Sequence, residues 1–185
     1  MKEPAPLTLD SRLQETPAPE GTLLRLFHIM GLLRHLMEPY FAQHGISGPQ
    51  WAILRIVKRA YDEGERSLAQ KEISRRLLIK PPSVTALVDR LERMGLLQRG
   101  ASDDLRVRMV GLTAAGRKLI ATIQKSHSAQ IGSLFGGFTA VELKQFHGLL
   151  GTMGAHLAAQ SPLTADISTR KAKAPAPLSR LPRKK

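Results

Sequence analysis

Residues 83–116, "SVTALVDRLERMGLLQRGASDDLRVRMVGLTAAG", decide how this chain folds. In the first half Val84, Leu87, Val88 and Leu91 recur at three or four residues, the spacing of one buried helix face, and Gly95 is the natural stop. Pro81 and Pro82 stand just upstream at the helix entrance, where a missing N–H is tolerated. The second half changes period. Two short segments, "LLQR" (96–99) and "RVRMVGL" (106–112), flank a turn built from Gly100 and the Ser-Asp-Asp cluster, which predicts a β-hairpin. After Thr113 the helical pattern resumes in "AAGRKLIATIQKSHSAQIGSLF".

Working outward, "SLAQ" pairs Ser67 with Gln70 as a capping box and opens a short helix that carries Ile73 and Leu77 inward. "SGPQW" does the same with Ser47 and Gln50, and Trp51, Leu54, Val57 and Tyr61 line the inner face of that helix. "TAVE", Thr139 to Glu142, opens the last helix. A long first helix carries a single apolar stripe: Leu23, Leu26, Phe27, Met30, Leu33, Met37, Tyr40 and Phe41. Pro39 lies inside it, removes a donor and clashes one turn back near His35, so the helix should kink or end there.

A short helix, a brief connection, a second helix entered through small polar residues and a following hairpin describe a winged helix-turn-helix. The fold class is therefore mainly α with a small β-hairpin wing. In such a unit the second helix lies in the DNA major groove with its first turn at the base edges. That turn offers Lys80, Pro81, Pro82, Ser83, Thr85 and Ala86. Ser83 and Thr85 can each donate or accept toward a base, the helix N-terminus favours a phosphate, and Arg90, a turn further on, reaches the backbone. The alternative, that Ser83 and Thr85 only start a helix, is equally consistent with spacing; the hairpin favours DNA.

Composition agrees. The 185 residues suit one domain with tails, and 42% hydrophobic against 4% aromatic residues suits an aliphatic, helical core. The absence of cysteine excludes disulfides, thiolate nucleophiles and zinc–thiolate sites. A net charge of +13 suggests a polyanionic partner, nucleic acid ahead of membrane. Residues 1–20 hold two basic and four acidic residues with four prolines, reading as a disordered arm. Residues 161–185 hold seven basic residues and one acid, a disordered basic tail. The remaining 21–160 still carry +9, so the tail alone does not explain the charge. No window spans a membrane and the start lacks an apolar signal core, so the expected location is cytoplasmic. No cofactor motif is visible. Six histidines lack any H-E-x-x-H or comparable carboxylate spacing, so neither a metal site nor an enzyme is expected.

The quoted stretch resembles the MarR family of bacterial transcription regulators, whose pattern runs roughly S-x-x-T-x-x-V-D-x-L-E-x-x-G-L-[IV]-x-R, then D-x-R in the wing and L-T-x-x-G after it. The likeness extends through "GISGPQWAIL", "SLAQKEISRRL" and "FTAVELKQF", about residues 22–160. It implies a homodimer whose first helix and last two helices pack against their twofold mates, dimerisation helices at about 22–45 and 114–160, and a reading head at about 47–113. It matches Asp104 and Arg106 to the wing's D-x-R, with Arg106 entering the minor groove. A narrow A·T-rich groove concentrates negative potential and favours such an arginine. Asp104 would position its guanidinium, Asp103 belongs to the turn, and Arg108 either follows toward phosphate or faces solvent. Leu105 and Ala86 replace residues that are often basic or polar in the family, and Leu78 stands where glycine often ends the first reading helix.

The resemblance also implies an effector pocket between dimer helices and reading head. His28, Arg34, His35, Tyr40, Trp51 and Arg55 lie on the two helices that would wall it, and suit a small aromatic or anionic ligand. Gly148, Gly151 and Gly154 fall every third residue on the last helix, consistent with close helix approach or with a weak helix. The expected function is a homodimeric regulator of double-stranded, palindromic operator DNA, a repressor released by a small molecule. The alternative is an architectural DNA-binding protein without effector.

Overall fold

The computed structural model describes residues 19–101, 104 and 107–160. Six helices and three short strands follow one another: α1 (Pro19–Ala42), α2 (Gly48–Asp62), β1 (Leu68–Ala69), α3 (Gln70–Leu77), α4 (Pro81–Arg93), β2 (Leu97–Arg99), β3 (Met109–Leu112), α5 (Ala114–Leu134) and α6 (Ala140–Gln160). The predicted fold class holds. The strands form one antiparallel sheet in the order β1-β3-β2, with Leu97 opposite Leu112 and Arg99 opposite Val110.

Local chemistry explains most boundaries. Ser47 caps α2 and Gln50 returns the bond, its Oε1 accepting from the Ser47 N–H at 2.8 Å. Thr139 and Glu142 close the same box on α6. Thr113 caps α5 through the Gly116 N–H at 3.0 Å. Gly95 ends the segment after α4 at φ 67°, a left-handed turn that glycine adopts without strain.

Four expectations need correction. Ser67 and Gln70 form no capping box: Leu68 and Ala69 are instead paired with Val110 and Met109, and the N-cap of α3 is Ala69, without a side-chain bond. The backbone that would have carried the cap is committed to the ladder. Tyr61 is 40% exposed, because Ala60 takes the inward position, and Arg117 lies 5.4 Å over the Tyr61 ring. The first helix begins inside the predicted arm, and of the two outcomes expected at Pro39, a kink or an end, the end does not occur. It starts at Pro19, with Glu20 in the first turn where its charge suits the helix dipole, and runs through Pro39 to Ala42. Pro39 and His35 both face outward, where water can serve the carbonyl left without its donor, and burial of Tyr40 and Phe41 holds the final turn. Gly100 is part of the ladder rather than the turn: its N–H donates to the Met109 carbonyl at 2.9 Å. A Cβ there would lie 2.6 Å from that of Ser67, so the close approach of two chain segments requires glycine.

The core is aliphatic and sits between α2, α3, α4 and the sheet. Ile53, Leu54, Ile73, Val84, Val88, Leu91 and Val110 are fully buried, joined from α5 by Ile120 and Ile123. Leu78 adopts φ 54°, the only positive φ among described residues other than glycine. A left-handed leucine costs roughly 1–2 kcal/mol relative to a right-handed one. Three bonds hold it there: Leu78 N–H to Arg75 carbonyl, Ile79 N–H to Ser74 carbonyl, and Ser74 hydroxyl to Ile79 carbonyl at 2.5 Å.

Candidate nucleic-acid interface

Helix α4 divides cleanly between anchoring and presentation. Val84, Val88 and Leu91 are buried, whereas Lys80, Pro81, Pro82, Ser83, Ala86 and Arg90 are exposed. Thr85 is half-buried and its hydroxyl donates to the Gln70 Oε1 at 3.3 Å, which commits its proton within the head. At the start of α4, where a phosphate was expected, the backbone offers few free donors. Pro81 and Pro82 have no N–H, and those of Ser83 and Val84 already donate to the Lys80 carbonyl at 3.0 and 3.2 Å. What remains at this end is the helix dipole and the Lys80 ammonium.

The wing is fastened to this helix on two sides. Arg99, on β2, reaches Asp89 Oδ1 at 3.1 Å and Glu92 Oε2 at 3.0 Å, both on α4. On the other side the Gln70 N–H donates to the Arg108 carbonyl at 2.9 Å. Gln70 is thus bonded to the wing through its backbone and to the reading helix through its side chain. Arg108 and Asp104 are exposed, and the Val107 N–H donates to the Asp104 carbonyl, closing a turn at 2.9 Å. Ser102, Asp103, Leu105 and Arg106 lie outside the described residues, so the Asp104–Arg106 pairing does too.

Glu72, on the outer side of α3, is bracketed by Arg75 and Arg76 at 2.5 and 2.7 Å. Its hydrogen bond from Arg75, with a smaller contribution from Arg76, holds the carboxyl below its ordinary value against the opposing effect of burial.

Of the six residues expected to wall an effector pocket, His28, His35 and Tyr40 line clefts among the described residues. His28 and His35 line a groove of about 310 Å³ on α1 together with Gly31 and Leu32. Tyr40 belongs to a second cleft, about 580 Å³, between the end of α1 and α5, with Gln43, His44, Ser126 and Gln130 among its walls. Trp51 is buried, and Arg34 and Arg55 are exposed. The residue that ties these elements together, His127, was not singled out by the sequence. Its ring lies 5.3 Å from Trp51, 5.8 Å from Tyr40 and 6.1 Å from Phe41, centroid to centroid. Burial, and then the Arg55 charge, hold its pKa below the ordinary histidine value, so it is neutral near pH 7. Its Nδ1, the Trp51 Nε1 and the His44 Nε2 are buried and find no partner among the described residues. No sequence spacing marks His127, because the contacts that define it come from two other helices.

Among the described residues no group of three metal-ligating side chains forms, and no helix is long and apolar enough to cross a membrane.

This arrangement of α3, α4 and a β2–β3 wing defines a winged helix-turn-helix protein. Solved structures share it: a mutant MarR of Escherichia coli complexed with operator DNA, at TM-score 0.64 and 22% identity over 71% of this chain and 93% of that one, and a MepR–DNA complex of S. aureus, at TM-score 0.63 and 24% identity over 73% and 96%. In sequence, an uncharacterised HTH-type transcriptional regulator of Bacillus subtilis, YkoM, is 32% identical over 115 residues, covering 62% of this chain and 71% of that protein. The B. subtilis repressor YetL is 28% identical over 131 residues, 70% and 77% of the two chains. The MarR family profile matches residues 44–106. The chain belongs to the MarR family and is a DNA-binding transcriptional regulator.

Proposed function

We propose that the protein is a homodimeric, sequence-specific repressor in the cytoplasm, released from a palindromic operator by a small-molecule ligand. The observation that carries this reading is the exposed first turn of α4, set beside a wing that is bonded to the same helix, on a chain whose outer helices leave apolar faces uncovered. Lys80, Pro82, Ser83, Thr85, Ala86 and Arg90 would meet the major groove and its phosphates. Arg106 would enter the minor groove, with Asp104 orienting it and Arg108 toward phosphate. Residues 22–160 form the working domain, with the reading head at about 47–113.

Dimerisation is supported by α6, which has no buried residue among those described, and by the exposed Leu23, Phe27 and Met30 of α1. A Cβ at Gly148, Gly151 or Gly154 would meet nothing within 4 Å among the described residues, which accords with a partner helix approaching there. A twofold axis then sets half-sites about one helical turn apart. Ligand release is supported by the clefts at Tyr40 and His28, and by three ring nitrogens around His127 without partners. A ligand and the operator that prefer different separations of the reading heads oppose each other through one equilibrium. That B. subtilis YetL is named a repressor accords with the sign of regulation.

The test is selection of bound fragments from the source genome, followed by affinity measurement at ~150 mM salt, where non-specific binding is weak. A selected palindrome is expected to bind at least about a thousandfold more tightly than random duplex. Equal affinity would sink the reading and favour an architectural protein.

A further inference from the structure

The turn between α3 and α4 carries an unexplained feature. Of the apolar run Leu77-Leu78-Ile79, the first and third pack against the core, while the middle residue stands 62% exposed. Leu78 is also the residue forced to positive φ. Glycine would make the same turn without strain and with no apolar side chain in water, since every bond that shapes it uses neighbouring backbone or the Ser74 hydroxyl. Neither packing nor turn geometry therefore accounts for a leucine here.

Position supplies the reason. In a helix-turn-helix the first helix crosses the DNA backbone and the second enters the major groove by its N-terminus. Leu78 lies at the junction of the two, immediately before Ile79 and the N-cap Lys80. At this entrance Pro81 and Pro82 have no amide N–H and those of Leu78, Ile79, Ser83 and Val84 are used internally, so contact there falls mainly to side chains.

We propose that Leu78 is a DNA-contacting residue, its isobutyl group held outward by the left-handed backbone and laid against an apolar part of the duplex at the mouth of the groove. Two parts of DNA share that chemistry, the thymine methyl group and the deoxyribose ring. The first makes Leu78 a specificity determinant, the second a sequence-independent anchor. The proposal rests on the reading of α4 as the groove helix.

The experiment compares wild type with Leu78→Gly, Leu78→Asn and Leu78→Met on a selected genomic duplex, on the same duplex with deoxyuridine replacing thymidine, and on random duplex. Leu78→Gly is expected to raise the melting temperature by about 3 °C while binding the selected duplex about fivefold more weakly. Asparagine tolerates the left-handed region but is polar, so Leu78→Asn should bind as weakly, which separates loss of contact from loss of rigidity. Leu78→Met should stay near wild type. The slope of affinity against salt should not change, because no phosphate contact is removed. A Leu78→Gly loss that disappears on the deoxyuridine duplex assigns the thymine methyl; one that persists assigns deoxyribose. Leu78→Gly binding as tightly as wild type overturns the proposal. If wild type itself binds selected and random duplexes alike, the sequence-specific reading fails, and the same variants on random duplex still decide the contact.

Discussion

The reading head and the outer helices are built on opposite principles. From α2 to β3 every element turns a face to a shared interior, and Ile53, Leu54, Ile73, Val88 and Val110 are sealed from solvent. Helix α6 is longer than any of those elements, yet none of its described side chains is buried, and Leu149 is 69% exposed. Of α1, Met37, Tyr40 and Phe41, near its C-terminal end, join the interior. One region is therefore stabilised by the chain itself, and the other has apolar surface that the chain does not satisfy. Mutations should sort along that boundary.

The largest effect should fall in the head. Leu54→Ala should lower unfolding free energy by about 2–5 kcal/mol at any protein concentration, in urea titrations. Leu149→Ala should have no such intrinsic cost; a large loss that is independent of concentration would break the contrast. Next, Phe27→Asp should leave the head folded but convert dimer to monomer in sedimentation, with operator affinity falling about a hundredfold as the second half-site is lost. A variant that remains dimeric would move the interface elsewhere.

A smaller effect should appear at His127, where the two regions meet. Its pKa is depressed in the folded state, so the unfolded chain binds the proton more readily. Its contribution is then fully present above about pH 6.5, the ordinary histidine value, and is lost as pH falls below it. Stability of His127→Phe should decline less than wild type between pH 7 and pH 5.5; parallel curves would remove His127 from the joint. The smallest effect should be at Arg99. Its side chain and that of Asp89 are about half exposed, so Arg99→Ala should cost less than about 1 kcal/mol of stability. Operator binding should suffer more than stability, because the wing loses one of its ties to α4.

The same boundary explains what the sequence made legible. Helices with local signals were readable: Ser47 with Gln50, Thr139 with Glu142, the proline pair before Ser83 and Gly95 after Arg93 each act within four residues. The hairpin was readable from its change of period. Features that depend on distant partners were not. Ser67 and Gln70 have the spacing of a cap, but whether their backbone is free is decided by Met109 and Val110, some forty residues away. Tyr61 fits a helical stripe that ends one position earlier, at Ala60. The six candidate ligand residues were chosen for sharing two helices, and His127 acquires its environment only when α1, α2 and α5 meet. Of the proposed DNA contacts, the exposed side of α4 was legible from its apolar complement, whereas the commitment of Thr85 to Gln70 was not.

Gln70 has one more consequence. Because a single residue is bonded to the wing strand and to the reading helix, the two prongs of the head cannot change their spacing independently. On the proposed binding mode the head would then act as a fixed-gap calliper across neighbouring grooves. A duplex of altered pitch or groove width would be refused even with every contacted base in place, and a ligand that pries at this residue would reset the gauge.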